Sequence, residues 1–101
     1  MKIQILYFEG CPTYGAAEEA LREVLGKQGT LAEVERIAVN TDEEAQRLRF
    51  PGSPTIRVDG HDLFPVAERE HWRLGCRVYT TPEGLRGCPT VEMIGEALAA
   101  K

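Results

Sequence analysis

Apolar and polar positions along this chain follow two periods, and the periods predict its first elements. Ile3 to Phe8 is a short apolar run rich in strand formers, which predicts a buried strand. The following segment repeats apolar residues every three or four positions, which predicts an amphipathic helix that ends near Gly26 and Gly29. The predicted inner face of this helix comprises Ala17, Ala20, Leu21, Val24 and Leu25.

The middle of the chain predicts a second strand and a short helix. Leu31 to Val39 has the composition of a strand, although charged residues interrupt it. Thr41 and Glu44 have the spacing of a capping box, in which a hydroxyl caps the helix and a carboxylate follows three residues later. A short helix that buries Ala45 and Leu48 is therefore expected to follow.

A hairpin is predicted after the second helix. Thr55 to Val58 has the pattern of a strand, Asp59-Gly60 is typical of a two-residue hairpin turn, and His61 to Phe64 would form the returning strand. Pro65 to Cys76 carries no clear pattern, and Arg77 to Tyr79 is compatible with a short strand or with extended coil. The hairpin requires one antiparallel pair in the sheet.

A second amphipathic helix closes the chain, and it completes the order strand, helix, strand, helix, hairpin, helix. Pro89 is expected to open this helix. Its predicted inner face comprises Val91, Ile94, Ala97 and Leu98. Alternating strands and helices favour parallel pairing through crossovers. The predicted fold class is α/β: one domain over residues 1–101, with a small mixed four-stranded sheet flanked by helices on both faces.

Composition and charge narrow the classes of function. The 101 residues are 43% hydrophobic and 28% charged, as in an ordinary soluble domain. Sixteen acidic residues against twelve basic ones argue against nucleic acid or an anionic membrane as the main partner. The first residues enter a strand directly, without room for a cleavable signal, so a cytoplasmic location is expected. Thiols stay reduced there, and three cysteines cannot all pair within one chain.

The tetrapeptide Gly-Cys-Pro-Thr occurs twice, at residues 10–13 and 87–90, and each copy precedes a predicted helix. The first copy lies between the first strand and the first helix. Together with Ser53-Pro54-Thr55 and the hairpin around Asp59-Gly60, it resembles the thioredoxin-like superfamily, in particular small single-domain bacterial members. The resemblance covers about the first two-thirds of the chain. It implies a thioredoxin-like fold with a cis Pro54, whose loop lies beside Cys11 and offers backbone groups to an extended substrate.

Cys11 is the candidate catalytic residue. A thiol at a helix N-terminus is close to free backbone N–H groups and to the positive end of the helix dipole, and both favour the nucleophilic thiolate. Pro12 fits the first turn, where its missing N–H is not needed. The alternative is that Cys11 is only a small residue that begins a helix. The resemblance implies that a substrate would contact these residues: Pro12, Tyr14, Ser53, Pro54 and Thr55.

One position departs from the family pattern. Dithiol members carry Cys-x-x-Cys, whose second thiol resolves the mixed disulfide formed by the first. Here Tyr14 occupies that second position, where it would either donate a hydrogen bond to the thiolate or pack as an aromatic ring. Three routes stay open: resolution by glutathione or another small thiol acting as co-substrate, resolution by a distant cysteine such as Cys76, or no redox turnover.

Cys88 is interpreted as part of a helix start, because no strand precedes it and no second proline loop matches it. A disulfide between Cys76 and Cys88 is disfavoured by a reducing compartment. A zinc site formed by these two cysteines with His61 and His71 lacks the close ligand pairs that such sites use. No resident metal or cofactor is therefore expected, although reduced thiols are able to capture a soft metal ion.

Two hypotheses of function follow. The first is a thiol-disulfide oxidoreductase that uses Cys11 as its single nucleophile, with a thiol- or disulfide-bearing protein or small molecule as partner. The second is a non-catalytic thioredoxin-like module that binds a partner protein or a soft metal ion through its thiols. The missing second motif cysteine keeps the second hypothesis open.

Overall fold

The computed structural model describes residues 1–30 and 32–101, and its helices and strands follow the predicted order through the hairpin. The strands are β1 (Lys2–Tyr7), β2 (Glu33–Ala38), β3 (Thr55–Val58), β4 (His61–Asp62), β5 (Tyr79–Thr81) and β6 (Gly84–Arg86). The helices are α1 (Tyr14–Gln28), α2 (Asp42–Leu48) and α3 (Val91–Ala99). The predicted start of the second strand at Leu31 lies outside the described residues.

The main sheet has four strands in the order β2-β1-β3-β4. β1 is parallel to β2 and antiparallel to β3, and β3 is antiparallel to β4. Asp59 and Gly60 form the turn between β3 and β4 with φ angles of 50° and 87°, which is the left-handed conformation that two-residue hairpins need. The prediction of a mixed four-stranded α/β sheet is confirmed.

The sheet carries helices on both faces, as predicted. Because side chains alternate along a strand, Ile3 and Ile5 of β1 point to one face, where they pack in a core cluster with α1 and α3. Leu6 points to the other face and packs with Ala45 of α2 and with Phe50. All five side chains are buried. The central strand β1 is therefore fixed on both sides, and its carboxyl end is held rigidly.

Both long helices begin later than the proline positions suggest. α1 begins at Tyr14 with Thr13 as its N-cap, so Pro12 precedes the helix. α3 begins at Val91 with Thr90 as its N-cap, and the Thr90 hydroxyl accepts a hydrogen bond from the Met93 N–H at 3.1 Å. The expectation that proline would open each helix is wrong by two residues. Thr90 caps α3 with its hydroxyl, whereas Thr13 occupies the N-cap position of α1 without a side-chain hydrogen bond to the helix.

The short helix α2 begins with the predicted capping box. The Thr41 hydroxyl accepts a hydrogen bond from the Glu44 N–H at 3.0 Å, and the Glu44 carboxylate accepts one from the Asn40 N–H at 3.3 Å. Ala45 is fully buried and Leu48 partly so. This start fixes the point at which the chain leaves β2 and turns back toward β3.

The segment after the hairpin differs most from expectation. β4 ends at Asp62 rather than Phe64, because the Asp62 carboxylate accepts a hydrogen bond from the Phe64 N–H at 2.8 Å and turns the chain. Residues 65–75, all of them described, form neither helix nor strand, although Trp72 is buried. β5 and β6 then form a separate two-stranded sheet. Among the described residues, no helix has both the length and the apolar character needed to cross a membrane.

Candidate active site around Cys11

Cys11 lies in the connection between β1 and α1, at the carboxyl end of the central strand. The Cys11 N–H donates a hydrogen bond to the Phe8 carbonyl at 3.2 Å, which closes a tight turn. Gly10 has a φ of 86° inside this turn, a conformation that a residue with a Cβ atom rarely adopts. The turn places the thiol two residues before the Thr13 N-cap, partly exposed to solvent.

The surroundings of the Cys11 sulfur favour the thiolate. Partial burial raises the pKa of the thiol, but hydrogen bonding from the Ser53 and Thr13 side chains and from the N–H groups of Thr13 and Tyr14 outweighs it. The pKa of Cys11 is therefore lower than its usual value. Thr13 Oγ1 lies 3.6 Å from the sulfur. The free N–H groups at the start of α1 act on Cys11 as predicted, although the helix begins three residues later.

Ser53 presents a buried hydroxyl to this sulfur. The residue has 0% of its surface exposed, and among the described residues its hydroxyl has no hydrogen-bond partner of standard geometry. It still lies near enough to Cys11 to lower the pKa of that thiol. A buried hydroxyl without a partner costs about 1–3 kcal/mol. The Ser53 hydroxyl is thus a buried donor that favours the thiolate of Cys11.

The Ser53-Pro54 peptide bond is cis, as the resemblance implies. Side-chain hydrogen bonds to main-chain carbonyls hold the loop that contains it. The Tyr79 hydroxyl donates to the Pro54 carbonyl at 2.5 Å, and the Thr55 hydroxyl donates to the Gly52 carbonyl at 2.6 Å. Ser53, Pro54 and Thr55 are all fully buried. The hypothesis that these three residues contact a substrate did not anticipate this burial, and it stays a prediction.

Arg77 is a second anchor of the same loop. The side chain is 6% exposed and donates to the Asp62 carboxylate at 2.9 Å, to Thr55 Oγ1 at 3.2 Å and to the Phe64 carbonyl. Its guanidinium lies over the ring of Tyr79, 4.6 Å from the centroid. Sequence reasoning missed both Arg77 and Tyr79, because neither belongs to a recognisable motif. The only signal available was that Arg77 has an aromatic residue, Tyr79, two positions later.

Cys76, the predicted candidate for a resolving thiol, lies next to this loop. The Ser53 N–H donates to the Gly75 carbonyl at 2.9 Å, and the Ser53 carbonyl accepts from the Arg77 N–H at 2.9 Å. These two bonds form an isolated parallel bridge between Ser53 and Cys76, and the Cys76 side chain is exposed. The loop's backbone groups were expected to be offered to an extended substrate. That expectation is wrong for Ser53, whose groups are already paired with the chain itself.

The second Gly-Cys-Pro-Thr lies against the first. The Thr13 hydroxyl donates to the Gly87 carbonyl at 3.0 Å, and a Cβ atom on Gly87 would lie only 2.6 Å from the Thr13 methyl. Burial, and then the negative charge of Cys11, raise the pKa of Cys88. Sequence reasoning assumed that no strand precedes Cys88, which is wrong, since β6 ends at Arg86. It placed Cys88 at a helix start, whereas α3 begins three residues later at Val91 with Thr90 as its N-cap, and it missed that this segment adjoins Cys11. The repeated Gly-Cys-Pro-Thr was a sequence signal for this contact, but no rule for predicting contacts between distant residues makes use of such a repeat.

Tyr14 packs as an aromatic ring, and its hydroxyl is directed away from the thiolate. The ring stacks on Tyr7 with a centroid distance of 4.0 Å and an interplanar angle of 11°. Its hydroxyl donates to the Glu18 carboxylate at 2.9 Å. Glu18 also accepts two 2.6 Å hydrogen bonds from Arg36, which with Tyr14 and Arg22 lower the pKa of Glu18 to about 2. The alternative in which the Tyr14 hydroxyl donates to the sulfur is wrong.

The three cysteines are free thiols. Within residues 1–30 and 32–101, no three side chains of the His, Cys, Asp or Glu type are grouped so that they could hold a metal ion. Comparisons with protein-family models, with curated proteins and with solved structures find no match to this chain. Any function must therefore be argued from the geometry around Cys11.

Proposed function

We propose that this protein is a thioredoxin-like thiol-disulfide oxidoreductase whose nucleophile is Cys11. The observation that carries the proposal is the fully buried Ser53 hydroxyl beside a thiol whose pKa is lowered. A structural cysteine in an apolar setting would instead have a raised pKa. A buried hydroxyl without a hydrogen-bond partner of standard geometry is retained at a cost to stability, which is typical of functional sites.

The order of the elements supports the thioredoxin-like assignment. A parallel β1-β2 pair and an antiparallel β3-β4 hairpin share one sheet, with α1 and α3 on one face and α2 on the other. Cys11 follows the central strand, and the cis Ser53-Pro54 bond immediately precedes β3. Both features lie at the carboxyl end of β1, where α/β folds commonly place their sites.

The chemistry follows from the donors around the sulfur. The Cys11 thiolate attacks one sulfur of a disulfide, forms a mixed disulfide with it, and releases the other sulfur as a thiolate that takes up a proton. The N–H groups of Thr13 and Tyr14 and the Ser53 hydroxyl stabilise negative charge on the Cys11 sulfur. They do so before the attack and again when Cys11 becomes the leaving group. Donors fixed in advance need no rearrangement during either step.

The partners are thiols and disulfides, carried by a protein or by a small molecule. Because Tyr14 occupies the position of a second motif cysteine, the mixed disulfide must be resolved elsewhere. Glutathione or another small thiol is the proposed co-substrate. It either resolves the mixed disulfide directly, or it reduces the protein disulfide that forms when a second cysteine resolves the mixed disulfide. The side of Cys11 that faces solvent admits such a molecule, since the thiol is only partly buried.

The test compares reductase turnover with thiol reactivity in matched variants. Turnover of a small disulfide with glutathione as reductant should fall at least about 100-fold in Cys11→Ser, because the nucleophile is lost. Cys76→Ser removes an exposed thiol and should retain turnover. Alkylation rates measured from pH 5 to 10 by peptide mass spectrometry should give Cys11 a lower pKa than Cys88.

Ser53→Ala isolates the donor that carries the proposal. Alkylation of Cys11 at neutral pH should become slower, while alkylation of Cys76 stays unchanged. The free energy of unfolding should stay constant or rise by about 1 kcal/mol, since an unsatisfied buried hydroxyl is removed. Full turnover in Cys11→Ser would overturn the proposal. Absent turnover, together with soft-metal binding that requires Cys11, would favour the non-catalytic module instead.

A further inference from the structure

We propose that Cys88 is the resolving thiol of Cys11, so that the two copies of Gly-Cys-Pro-Thr together form one dithiol site. This inference rests on the proposed function, since it names the residue that completes the same reaction. It assigns to Cys88 a role that its position before a helix does not suggest. The protein would then need no external thiol to release its product.

Thr13 connects the two copies directly. Its hydroxyl oxygen lies 3.6 Å from the Cys11 sulfur and 3.0 Å from the Gly87 carbonyl oxygen, and Gly87 is bonded to Cys88. Gly87 permits this approach, because an added Cβ would lie 2.6 Å from Thr13 Cγ2 and 3.2 Å from Thr13 Cβ. The Thr13 side chain therefore touches the main chain next to Cys88 and at the same time lies beside the Cys11 sulfur.

The helices α1 and α3 bring the two cysteines to the same end of the molecule. Thr13, at the start of α1, contacts the residues just before α3. Further along, a Cβ on Gly95 of α3 would lie 3.9 Å from Val24 of α1, and the Gln28 side chain donates to the Gly95 carbonyl at 3.4 Å. The helices thus run side by side in the same direction. Each is preceded by one Cys-Pro, and both thiols are half-buried.

The charges on the two thiols suit a sequence of two attacks. Burial and the Cys11 thiolate raise the pKa of Cys88, so Cys88 stays protonated while Cys11 is the free nucleophile. Once Cys11 is part of a mixed disulfide, its negative charge is gone. Cys88 then ionises more easily at the moment when its thiolate is needed.

The balanced reaction consumes two protein thiols for each disulfide reduced. Cys11 attacks the substrate R–S–S–R, and one R–S⁻ leaves and takes up a proton. Cys88 loses its proton to solvent and attacks the Cys11 sulfur, which forms the Cys11–Cys88 bond and breaks the mixed disulfide; the second R–S⁻ leaves and is protonated. The substrate gains two electrons and the protein loses two. Two molecules of a small thiol such as glutathione return the protein to its dithiol form and become a disulfide themselves.

Cys76 is the competing candidate, and the structure favours it less. Its recorded contact with the site is the main-chain bridge to Ser53, and its side chain is exposed. Cys88 by contrast follows Gly87, which contacts Thr13 directly. Burial and then the negative charge of Cys11 raise the pKa of Cys88. Cys76→Ser is therefore the matched control for Cys88→Ser, since each exchanges one thiol for a hydroxyl.

The experiment follows reduced full-length protein after one equivalent of glutathione disulfide is added. Samples are quenched with an alkylating agent, and their adducts and disulfides are mapped by mass spectrometry. The wild-type protein and Cys76→Ser should show a transient glutathione adduct on Cys11, followed by a Cys11–Cys88 disulfide. In Cys88→Ser the adduct should live at least about tenfold longer, because the neighbouring attacking thiol is missing.

The outcomes separate the two proposals. A Cys11–Cys76 disulfide in the wild-type protein, or equal adduct lifetimes in wild type and Cys88→Ser, would overturn the role of Cys88 and leave Cys11 as nucleophile. If the proposed function itself is wrong, no adduct forms on Cys11 in any variant. The wild-type disulfide map decides between the two cysteines even if Cys88→Ser folds poorly.

Discussion

The segments at residues 10–13 and 87–90 carry the same four amino acids into different surroundings. In the second copy, Thr90 turns its hydroxyl back to cap α3 through the Met93 N–H. In the first copy, the Thr13 hydroxyl donates to Gly87 instead of capping α1. The N–H groups at the start of α1 therefore remain available to the Cys11 sulfur. Thr90 thus caps α3 with its side chain, whereas Thr13 leaves the N–H groups at the start of α1 free to bind an anion.

The two glycines also differ in why they are glycine. Gly10 adopts a φ of 86° and has open space where a Cβ would be, so its backbone conformation is what requires glycine. Gly87 meets the Thr13 side chain at 2.6 Å, so the close approach of two segments is what requires it. Local sequence alone does not decide whether a cysteine reacts. Partial burial raises the pKa of Cys11, but hydrogen bonding, which includes that from Ser53, outweighs it, whereas burial and then the negative charge of Cys11 raise the pKa of Cys88.

The largest expected effect comes from removing the anchor of that loop. Arg77→Met removes the arginine from the Asp62 carboxylate, whose side chain is only 15% exposed, which should lower the free energy of unfolding by about 3–5 kcal/mol. With Ser53 no longer held against it, Cys11 should alkylate at a rate closer to that of Cys88. Urea unfolding and alkylation measure the two effects.

The matched control for this change is Arg49→Met. Arg49 and Glu68 form an ion pair whose side chains are 68% and 70% exposed, so its loss should cost less than about 1 kcal/mol. If Arg77→Met unfolds at the same urea concentration as Arg49→Met, the buried ion pair does not anchor the loop.

A smaller effect is expected from wedging the two copies apart. In Gly87→Ala the added methyl collides with Thr13, which should cost about 1–3 kcal/mol of stability. Formation of the Cys11–Cys88 disulfide should become slower as well. Gly26→Ala adds the same methyl in α1, where no atom lies within 4 Å, and should stabilise the protein by about 0.5–1 kcal/mol. Equal unfolding free energies for the two variants would contradict the tight contact.

The smallest expected effect is that Cys11 and Cys88 make the stability of the protein depend on pH with opposite signs. The lowered pKa of Cys11 means that its ionisation favours the folded state, so this contribution grows as pH rises through the folded pKa and is lost as pH falls. The raised pKa of Cys88 has the opposite consequence, and stability is lost as pH rises above the unfolded value of about 8.5. Urea unfolding of reduced wild type, Cys11→Ser and Cys88→Ser at pH 7 and pH 9.5 checks this. Parallel pH dependences for the two variants would contradict the assignment.

Much of the fold was predictable because it follows local rules. The period of three and four in α1, the Thr41–Glu44 spacing and the Asp59-Gly60 turn each specify one conformation through neighbouring residues. The position of Cys11 after the central strand followed from the same patterns. Helix starts were misplaced by two residues, because the threonine after each Cys-Pro is the N-cap residue. Of the two, only Thr90 caps its helix through the hydroxyl, whereas the Thr13 hydroxyl binds Gly87.

The parts that were missed depend on contacts between distant residues. Arg77 binds Asp62 across 15 positions, and Tyr79 binds the Pro54 carbonyl across 25. Thr13 meets Gly87 across 74 positions. No period in the sequence encodes such pairings, since they appear only when the region after β4 folds back on the sheet. The loop opposite Cys11 was therefore predictable as a motif, while its burial and its anchors were not.

The bridge between Ser53 and Cys76 bears on what kinds of molecule can compete for the site. An extended polypeptide that sought main-chain bonds at Ser53 would first have to displace residues 75–77 and their two 2.9 Å hydrogen bonds. Each such bond contributes about 0.5–1.5 kcal/mol net, so displacing both would weaken binding by roughly one to two orders of magnitude. A small disulfide that needs only the Cys11 sulfur faces no such competition. Under the proposed function, the protein's own chain is a tethered competitor that favours compact substrates over extended ones.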